Sequence, residues 1–246
     1  MSDRTLLGML TPSSNTTLEP VTTAMLAGLP ETSAHFSRFK VTEIALSGNA
    51  LAQFDLTNIL SAAELLSHAR CEVIGWSGTA AGWLGFDVDR HLCAAVEHQT
   101  GARACTSVLA LNEIFELTGV RRFGLVTPYR DDVQAAIVAN YARAGYDCVA
   151  ERHLGLQDNF SFSEVTAAQL REMVREVVDG SPADRVDAVA ILWTNLRGTP
   201  LVEELEQEFG LPIYDSIATV VWKALRLARV DTRRVQGWGR LFREVP

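Results

Sequence analysis

Neutral hydrogen-bond donors stand where several short apolar runs of the chain end. The set comprises Ser13, Ser14, Asn15, Thr79, Tyr129, Thr194 and Asn195. Such donors suit a small carboxylate whose negative charge spreads during a reaction, as in an enediolate, because preorganised dipoles stabilise charge as it develops. These residue types therefore indicate proton transfer, isomerisation or decarboxylation next to a carboxylate.

No common cofactor or metal motif accompanies these donors. The chain lacks a Gly-x-Gly-x-x-Gly sequence after its first apolar run, a phosphate-loop lysine and a Gly-x-Ser-x-Gly elbow. Its four cysteines show no Cys-x-x-Cys spacing and no partnering histidine cluster; they are Cys71, Cys93, Cys105 and Cys148. We therefore expect no nucleotide cofactor and no bound metal, and we expect the cysteines to be free thiols.

Three of the donors belong to a stretch that the chain contains twice. Residues 72–85, EVIGWSGTAAGWLG, recur as residues 187–198, DAVAILWTNLRG, with Thr79 matching Thr194 at a shift of 115 residues. Each copy has an apolar run typical of a buried parallel strand, followed by small or polar residues typical of a turn. In open α/β sheets, ligands bind at this carboxyl end of the strands.

A second pair of segments supports the same shift. Residues 7–12 recur as residues 123–128, with Thr11 matching Thr127 at a shift of 116 residues. The two matches indicate an internal duplication, with two similar α/β halves facing each other and one site between them. The alternative is that small residues and threonine often terminate parallel strands without any duplication.

Apolar and polar patterns alternate along the chain and predict mainly parallel sheets with right-handed crossovers. The predicted strands are residues 5–10, 34–41, 73–76, 102–105, 123–127, 146–152, 186–193 and 212–214. The first predicted helix has Ser14, Asn15 or Thr16 as its N-cap and runs to about residue 26. The other predicted helices are residues 56–70, 88–98, 108–118, 131–144, 163–179, 199–209 and 217–229, and residues 46–56 are predicted to form a lid-like loop. We expect residues 1–108 to form the first half, with 217–246 returning to it, and residues 109–216 to form the second.

Composition limits the class of protein and of partner. The chain has 246 residues, of which 48% are hydrophobic, so it can bury a substantial core. Its net charge of −8 argues against nucleic acid or an anionic membrane as a partner, because both need a concentrated basic face. No apolar run reaches the roughly 18 residues of a membrane span, and no signal segment precedes the first strand. We expect a soluble cytoplasmic protein with a small-molecule carboxylate as its substrate.

Five segments in order resemble the aspartate/glutamate racemase superfamily, in its maleate isomerase and arylmalonate decarboxylase branch. They are residues 11–17 (TPSSNTT), 73–85, 126–129 (VTPY), 193–197 (WTNLR) and 237–241 (GWGRL). The resemblance covers essentially the whole chain and implies two pseudosymmetric α/β halves with the active site in the cleft between them. It also implies cofactor-independent action on a small carboxylate by a dimer or tetramer. It assigns substrate contacts to Ser14, Asn15, Gly78, Thr79, Tyr129, Trp193, Thr194 and Asn195.

The chain departs from this family at its reactive thiols. The resemblance places Gly78 at the first family cysteine and Trp193 at the second, so both thiols are absent. Another group must therefore move the proton if the protein is an enzyme. Tyr129 is the candidate acid, although its ordinary pKa near 10 would have to fall for it to serve as a base. Further candidates are Cys105, His153 and Asp158.

Three hypotheses follow from these observations. The first is a cofactor-independent isomerase or racemase-like enzyme that interconverts a small dicarboxylate, similar to maleate isomerase but without the cysteines. The second is a lyase that decarboxylates a malonate-type acid through an enediolate. The third is a protein that binds a carboxylate and has lost catalysis.

Overall fold

Short apolar runs of the sequence form two parallel β-sheets in the computed structural model, which describes residues 4–46, 48, 52–181 and 186–245. The strands are β1 (Thr5–Pro12), β2 (Thr32–Phe39), β3 (Val73–Trp76), β4 (Arg103–Thr106), β5 (Arg122–Thr127), β6 (Asp147–His153), β7 (Ala188–Ile191) and β8 (Ile213–Asp215). The first sheet has the order β2-β1-β3-β4 and the second has the order β6-β5-β7-β8. The repeated order confirms the predicted α/β fold of two similar halves.

Helices connect the parallel strands and cover the sheets. They are α1 (Leu18–Met25), α2 (Leu56–His68), α3 (Ala81–Leu84), α4 (Phe86–Thr100), α5 (Ser107–Thr118), α6 (Asp131–Arg143), α7 (Ala167–Asp179), α8 (Val202–Phe209), α9 (Ser216–Leu227) and α10 (Arg240–Glu244). Short 3₁₀ turns lie at residues 26–28, 52–54, 161–164, 199–201 and 232–234. No helix of these described ranges is long and apolar enough to cross a membrane.

The two repeated strands lie at equivalent places in the two sheets. Every residue of β3 and of β7 is buried, as expected of parallel strands covered on both faces. Each of them pairs with the first strand of its own half: β3 pairs with β1 and β7 pairs with β5. The turns after these four strands therefore open at the carboxyl ends of the two sheets.

Two helices join the halves. Helix α5 follows the first sheet directly, yet its Phe115 packs against Phe123 and Tyr214 of the second half, with ring centroids 5.3 and 6.2 Å apart. Helix α9 follows the second sheet and packs against β3, β4 and α5. Residues of each half thus complete the core of the other. The boundaries at residues 108 and 217 remain a prediction.

Several predicted element ends differ from those in the structure. Helix α7 begins after Thr166 and not at Ser163, because Thr166 and Gln169 form a reciprocal capping box that satisfies the first N–H groups. The helix predicted from residue 88 begins at Phe86 and is preceded by α3, while β2 begins earlier, at Thr32. The lid-like loop predicted for residues 46–56 lies partly outside the described residues, and its described part includes the 3₁₀ turn at 52–54.

Candidate active site between the two halves

The loop after β1 is bonded across the cleft to the loop after β7. The side-chain amide of Asn15 donates to Thr194 Oγ1 over 3.1 Å, and Thr194 Oγ1 in turn donates to the carbonyl oxygen of Ser77 over 3.1 Å. All three residues are fully buried. Three strand ends from both halves are therefore joined by one chain of hydrogen bonds, which uses one of the two amide hydrogens of Asn15.

The loops after β3 and β5 meet in the same way. The hydroxyl groups of Thr79 and Tyr129 lie 2.7 Å apart and share a hydrogen bond, and neither residue is exposed. Thr79 belongs to the first half and Tyr129 to the second. The four strand ends predicted to surround one site thus bring Asn15, Thr79, Tyr129 and Thr194 into two pairs that cross between the halves.

Asn15 also stabilises its own loop, and Asn195 links the loops after β1 and β6 to the loop after β7. The side-chain oxygen of Asn15 accepts from the backbone N–H groups of Thr17 and Leu18, each over 2.9 Å, and so caps α1. Asn195 accepts from Thr16 N–H over 2.9 Å and donates to the carbonyl oxygen of Asn159 over 2.7 Å. These bonds hold both side-chain amides rigidly, so the second amide hydrogen of each asparagine points in a fixed direction.

Ser14 lies beside this set and not at its centre. Its hydroxyl donates to the carbonyl oxygen of Val41 over 2.7 Å and accepts from the side-chain amide of Asn159 over 2.7 Å. The backbone N–H of Asn159 also donates to the carbonyl oxygen of Thr42, and the backbone N–H of Ile44 donates to the carbonyl oxygen of Gln157, each over 3.0 Å. These bonds hold the loop after β2 against the loop after β6, so Ser14 anchors the outer edge of the site.

The ring of Trp76 covers Gly78, the residue that the resemblance places at the first family cysteine. A Cβ atom built on Gly78 would lie only 2.1 Å from Cζ2 of Trp76. Phe39 packs on the other part of that indole, with the ring centroids 5.0 Å apart. Glycine is therefore the residue that allows Trp76 to occupy this place, because any side chain at position 78 would displace the ring.

Trp193, which the resemblance places at the second family cysteine, lies within a cluster of aromatic rings. Its ring centroid lies 5.3 Å from Tyr129, 5.3 Å from Phe162 and 6.5 Å from Trp83. Its backbone N–H donates to Ser216 Oγ over 3.0 Å. Trp193 is 2% exposed, so the aromatic rings close the site around the Thr79–Tyr129 pair.

Several buried donors in this region make no hydrogen bond within the described part of the chain. They are the indole Nε1–H groups of Trp83 and Trp193 and the hydroxyl of Ser77. A buried polar group without a partner is costly, and such groups are often found where a ligand binds. These groups add to the neutral donors that the sequence indicated.

Burial fixes the protonation state of Tyr129. Removal from water raises the pKa of its phenol well above the ordinary value, and the hydrogen bond with Thr79 opposes this only in part. The phenolate is thus disfavoured, and Tyr129 keeps its proton near neutral pH. It can donate a hydrogen bond or a proton, but the lowered pKa that a base would need is not found.

The other candidate acids and bases are engaged elsewhere. Cys105 is buried beneath Gly75, with its Sγ 4.0 Å from the carbonyl oxygen of Val220, and burial raises the pKa of its thiol. Burial lowers the pKa of His153. The hydrogen bonds of its two ring nitrogens to Glu151 and Asp131, 2.8 and 2.9 Å long, outweigh burial, so the pKa of His153 is raised.

Asp158 is hydrogen-bonded within its own loop, and the cysteines are free thiols. The Asp158 carboxylate accepts from Ser161 N–H over 2.8 Å, and its backbone forms an isolated bridge with Glu43. All four cysteines are free, as predicted. Among the described residues, no group of three or more His, Cys, Asp or Glu side chains is placed to hold a metal ion.

Sequence reasoning missed three residues of this region: Trp83, Phe162 and Asn159. Trp83 contacts Tyr129 with ring centroids 5.0 Å apart, and Phe162 contacts both Tyr129 and Trp193. Trp83 stands inside the duplicated stretch, so its aromatic character was a signal that could have been used. Phe162 and Asn159 lie in a loop without a periodic pattern, where no sequence signal distinguished them.

Comparison with known proteins gives consistent results. Residues 7–242 match the family model described as arylmalonate decarboxylase. The chain is 28% identical to a maleate isomerase from Nocardia farcinica over 247 residues, covering 97% of this chain and 95% of the relative. It is 26% identical to the arylmalonate decarboxylase of Bordetella bronchiseptica over 190 residues, covering 77% and 78%. The solved maleate cis-trans isomerase of Nocardia farcinica superimposes with a TM-score of 0.87 at 26% identity, over 98% of both chains.

Proposed function

The chain belongs to the arylmalonate decarboxylase family, and we propose that it is a cofactor-independent lyase that decarboxylates a malonate-type acid through an enediolate. One observation carries this proposal: the site combines neutral donors and a protonated phenol with no thiol at positions 78 and 193, where the resemblance places the family cysteines. Decarboxylation needs apolar surroundings for the carboxylate that leaves as carbon dioxide, and it needs one proton afterwards. It needs no base and no nucleophile. Isomerisation of a dicarboxylate through a covalent thiol adduct, by contrast, needs a nucleophile.

The reaction balances with the groups at hand. The bond between the α-carbon and one carboxylate breaks, carbon dioxide leaves, and the bonding electrons move into the remaining carboxylate as an enediolate. The Tyr129 hydroxyl then gives its proton to the α-carbon, and water returns a proton to the phenolate. An enediolate is a far stronger base than a phenolate, so a raised pKa does not prevent this transfer.

Neutral donors fit the enediolate better than cations would. The hydroxyl of Thr79 and the second amide hydrogen of Asn15 face a negative charge that exists only during the reaction, and the Trp193 indole N–H adds a third donor. Donors that need no reorganisation stabilise developing charge most effectively. The aromatic rings around them exclude water and so strengthen each bond.

Substrate entry requires side-chain movement. Asn15, Thr79, Tyr129 and Thr194 are fully buried and Trp193 is nearly so. A ligand therefore displaces at least one ring of the aromatic cluster when it binds. Trp193 is the ring that changes most from the family pattern, so we expect it to select the substituent on the substrate.

Isomerisation of a small dicarboxylate is the second candidate. It is favoured by the alignment, which covers 97% of the chain with a maleate isomerase but 77% with the decarboxylase. It is disfavoured by the missing thiols at positions 78 and 193. A carboxylate-binding protein without catalysis is the third reading. Oligomerisation and a cytoplasmic location remain predictions.

Proton NMR in D₂O distinguishes the three. Purified protein is incubated with methylmalonate, phenylmalonate and maleate in separate samples. The proposed lyase converts a malonate to the corresponding monocarboxylate with one deuterium at the α-carbon. Conversion of maleate to fumarate would instead establish the isomerase. Line broadening of a ligand without any conversion would establish a binding protein.

A further inference from the structure

A separate cavity of about 190 Å³ lies between α2, α4 and the turn after β3. Apolar side chains line most of it, among them Phe54, Ile59, Trp76 and Leu92. Dry cavities of about 150 Å³ with such walls bind benzene in other proteins. The cavity therefore has the size and the lining to hold a group as large as an aromatic ring.

One carboxyl group stands in this apolar wall. Asp89 lines the cavity and is 1% exposed, and its Oδ2 has no hydrogen-bond partner in the described part of the chain. Its other polar contact is a hydrogen bond with Thr106, and burial raises the pKa of Asp89 to about 7. An acidic residue in the first turn suits the dipole of α4, but the exposed Asp87 already serves there. Helix formation thus does not explain a buried, unpaired carboxyl oxygen.

We propose that this cavity is a binding site for a ring-sized apolar group that carries one hydroxyl, and that the hydroxyl bonds to Asp89. The apolar walls match the ring, and Asp89 Oδ2 supplies the missing partner. A hydroxyl is favoured over an ammonium group because moving the ammonium from water into these apolar walls costs more than its attraction to Asp89 returns. A hydroxyl also suits either state of the acid, since it donates to a carboxylate and accepts from a carboxylic acid.

The cavity shares a wall with the candidate active site. The Trp76 ring that lines it also covers Gly78, and Ala80 of the same turn lines it directly. A ligand in the cavity therefore contacts the Trp76 ring and the turn that contains Thr79. The binding site does not depend on the proposed reaction. Its occupant is either a free phenol-like molecule or the hydroxylated substituent of a carboxylate bound at Thr79.

Binding of p-cresol and of toluene to the purified protein tests the site. The Trp76 indole N–H resonance, assigned with a Trp76→Phe variant, reports occupancy by NMR titration. We expect p-cresol to shift this resonance and to bind at least fivefold more tightly than toluene. Asp89→Ala should remove that preference and leave toluene binding in place, because alanine offers the hydroxyl no hydrogen-bond partner, whereas the matched exposed variant Asp87→Ala should retain the preference.

Filling the cavity gives an independent test that does not rely on Asp89. Ile59→Phe should abolish the binding of both compounds at Trp76. The proposal is wrong if p-cresol does not shift Trp76, if it binds no better than toluene, or if Ile59→Phe leaves binding unchanged.

Two further titrations identify the source of the group. If p-cresol and malonate bind together without weakening each other, and (4-hydroxyphenyl)malonate binds no better than p-cresol, the site takes a free molecule. If (4-hydroxyphenyl)malonate binds at least tenfold more tightly than p-cresol and shifts Trp76, the hydroxylated ring is part of the substrate. Absence of a Trp76 shift with every compound overturns both.

Discussion

Tyr129→Phe removes one oxygen atom from the centre of the candidate site. That oxygen shares a 2.7 Å hydrogen bond with Thr79, and both residues are fully buried. Leaving the Thr79 hydroxyl unpaired should lower the free energy of unfolding by about 1–3 kcal/mol. Losing the proton donor should lower turnover by about 10²–10⁴-fold, the usual contribution of a general acid.

Tyr141→Phe is the matched control for this change. Tyr141 is also a fully buried tyrosine, but its hydroxyl has no hydrogen-bond partner among the described residues. Removing that hydroxyl should leave stability unchanged or raise it slightly, because an unpaired buried polar group is lost. Turnover should match the wild type, since Tyr141 packs with Phe86 and Phe123 and not with Thr79.

Urea unfolding and release of carbon dioxide from the best malonate substrate measure the two effects. We expect the Tyr129→Phe variant to be less stable than the wild type and nearly inactive. We expect the Tyr141→Phe variant to match the wild type in both stability and turnover. A folded Tyr129→Phe protein with wild-type turnover would refute the assignment of the proton donor. Equal stability of the two variants would refute the Thr79–Tyr129 bond.

Three further changes test other parts of the account. Gly78→Ala should destabilise the protein by about 1–3 kcal/mol in urea unfolding through overpacking against the Trp76 ring. The same change should cost much less in a Trp76→Leu background, and an equal cost in the two backgrounds would contradict the contact. Thr194→Val should cost about 1–3 kcal/mol because it unpairs Asn15 and the Ser77 carbonyl, and an unchanged unfolding midpoint would contradict that bridge. Asp89 has a folded-state pKa raised from 3.8 to about 7, so its contribution to stability is present below pH 3.8 and is lost as pH rises towards 7. Between pH 5 and pH 8 the wild type should therefore lose about 3 kcal/mol more than Asp89→Asn, and identical pH dependence in the two proteins would contradict the burial of that carboxyl.

Much of the fold could be predicted because its signals are local. The apolar runs before Gly78 and Trp193 are short and bounded by small or polar residues, so they indicate buried parallel strands. Their repetition placed the two halves and the site between them. Thr79 and Tyr129 follow strands of different sheets, so their meeting could be anticipated only from the duplication, which predicts that the carboxyl ends of the two halves face each other.

The rest depends on side-chain packing between distant segments. The ring of Trp76 lies on Gly78 because Phe39 holds it there, and nothing in the local sequence specifies that rotamer. The raised pKa of Tyr129 results from burial by the whole aromatic cluster. Phe162 enters that cluster from an irregular loop, so periodicity could not reveal it. The choice between the lyase and the isomerase hypothesis depends on these side-chain contacts more than on the fold.

The proposed site holds a proton donor, Tyr129, and no group that can act as a base. Such a site protonates an enediolate but cannot exchange an α-hydrogen, because exchange requires a base. A single enantiomer of 2-phenylpropionate is incubated with the protein in D₂O and followed by NMR, beside a sample with methyl(phenyl)malonate. The account predicts decarboxylation of the malonate with one deuterium incorporated, and neither exchange nor racemisation of the propionate. Rapid exchange of the propionate α-hydrogen would contradict it.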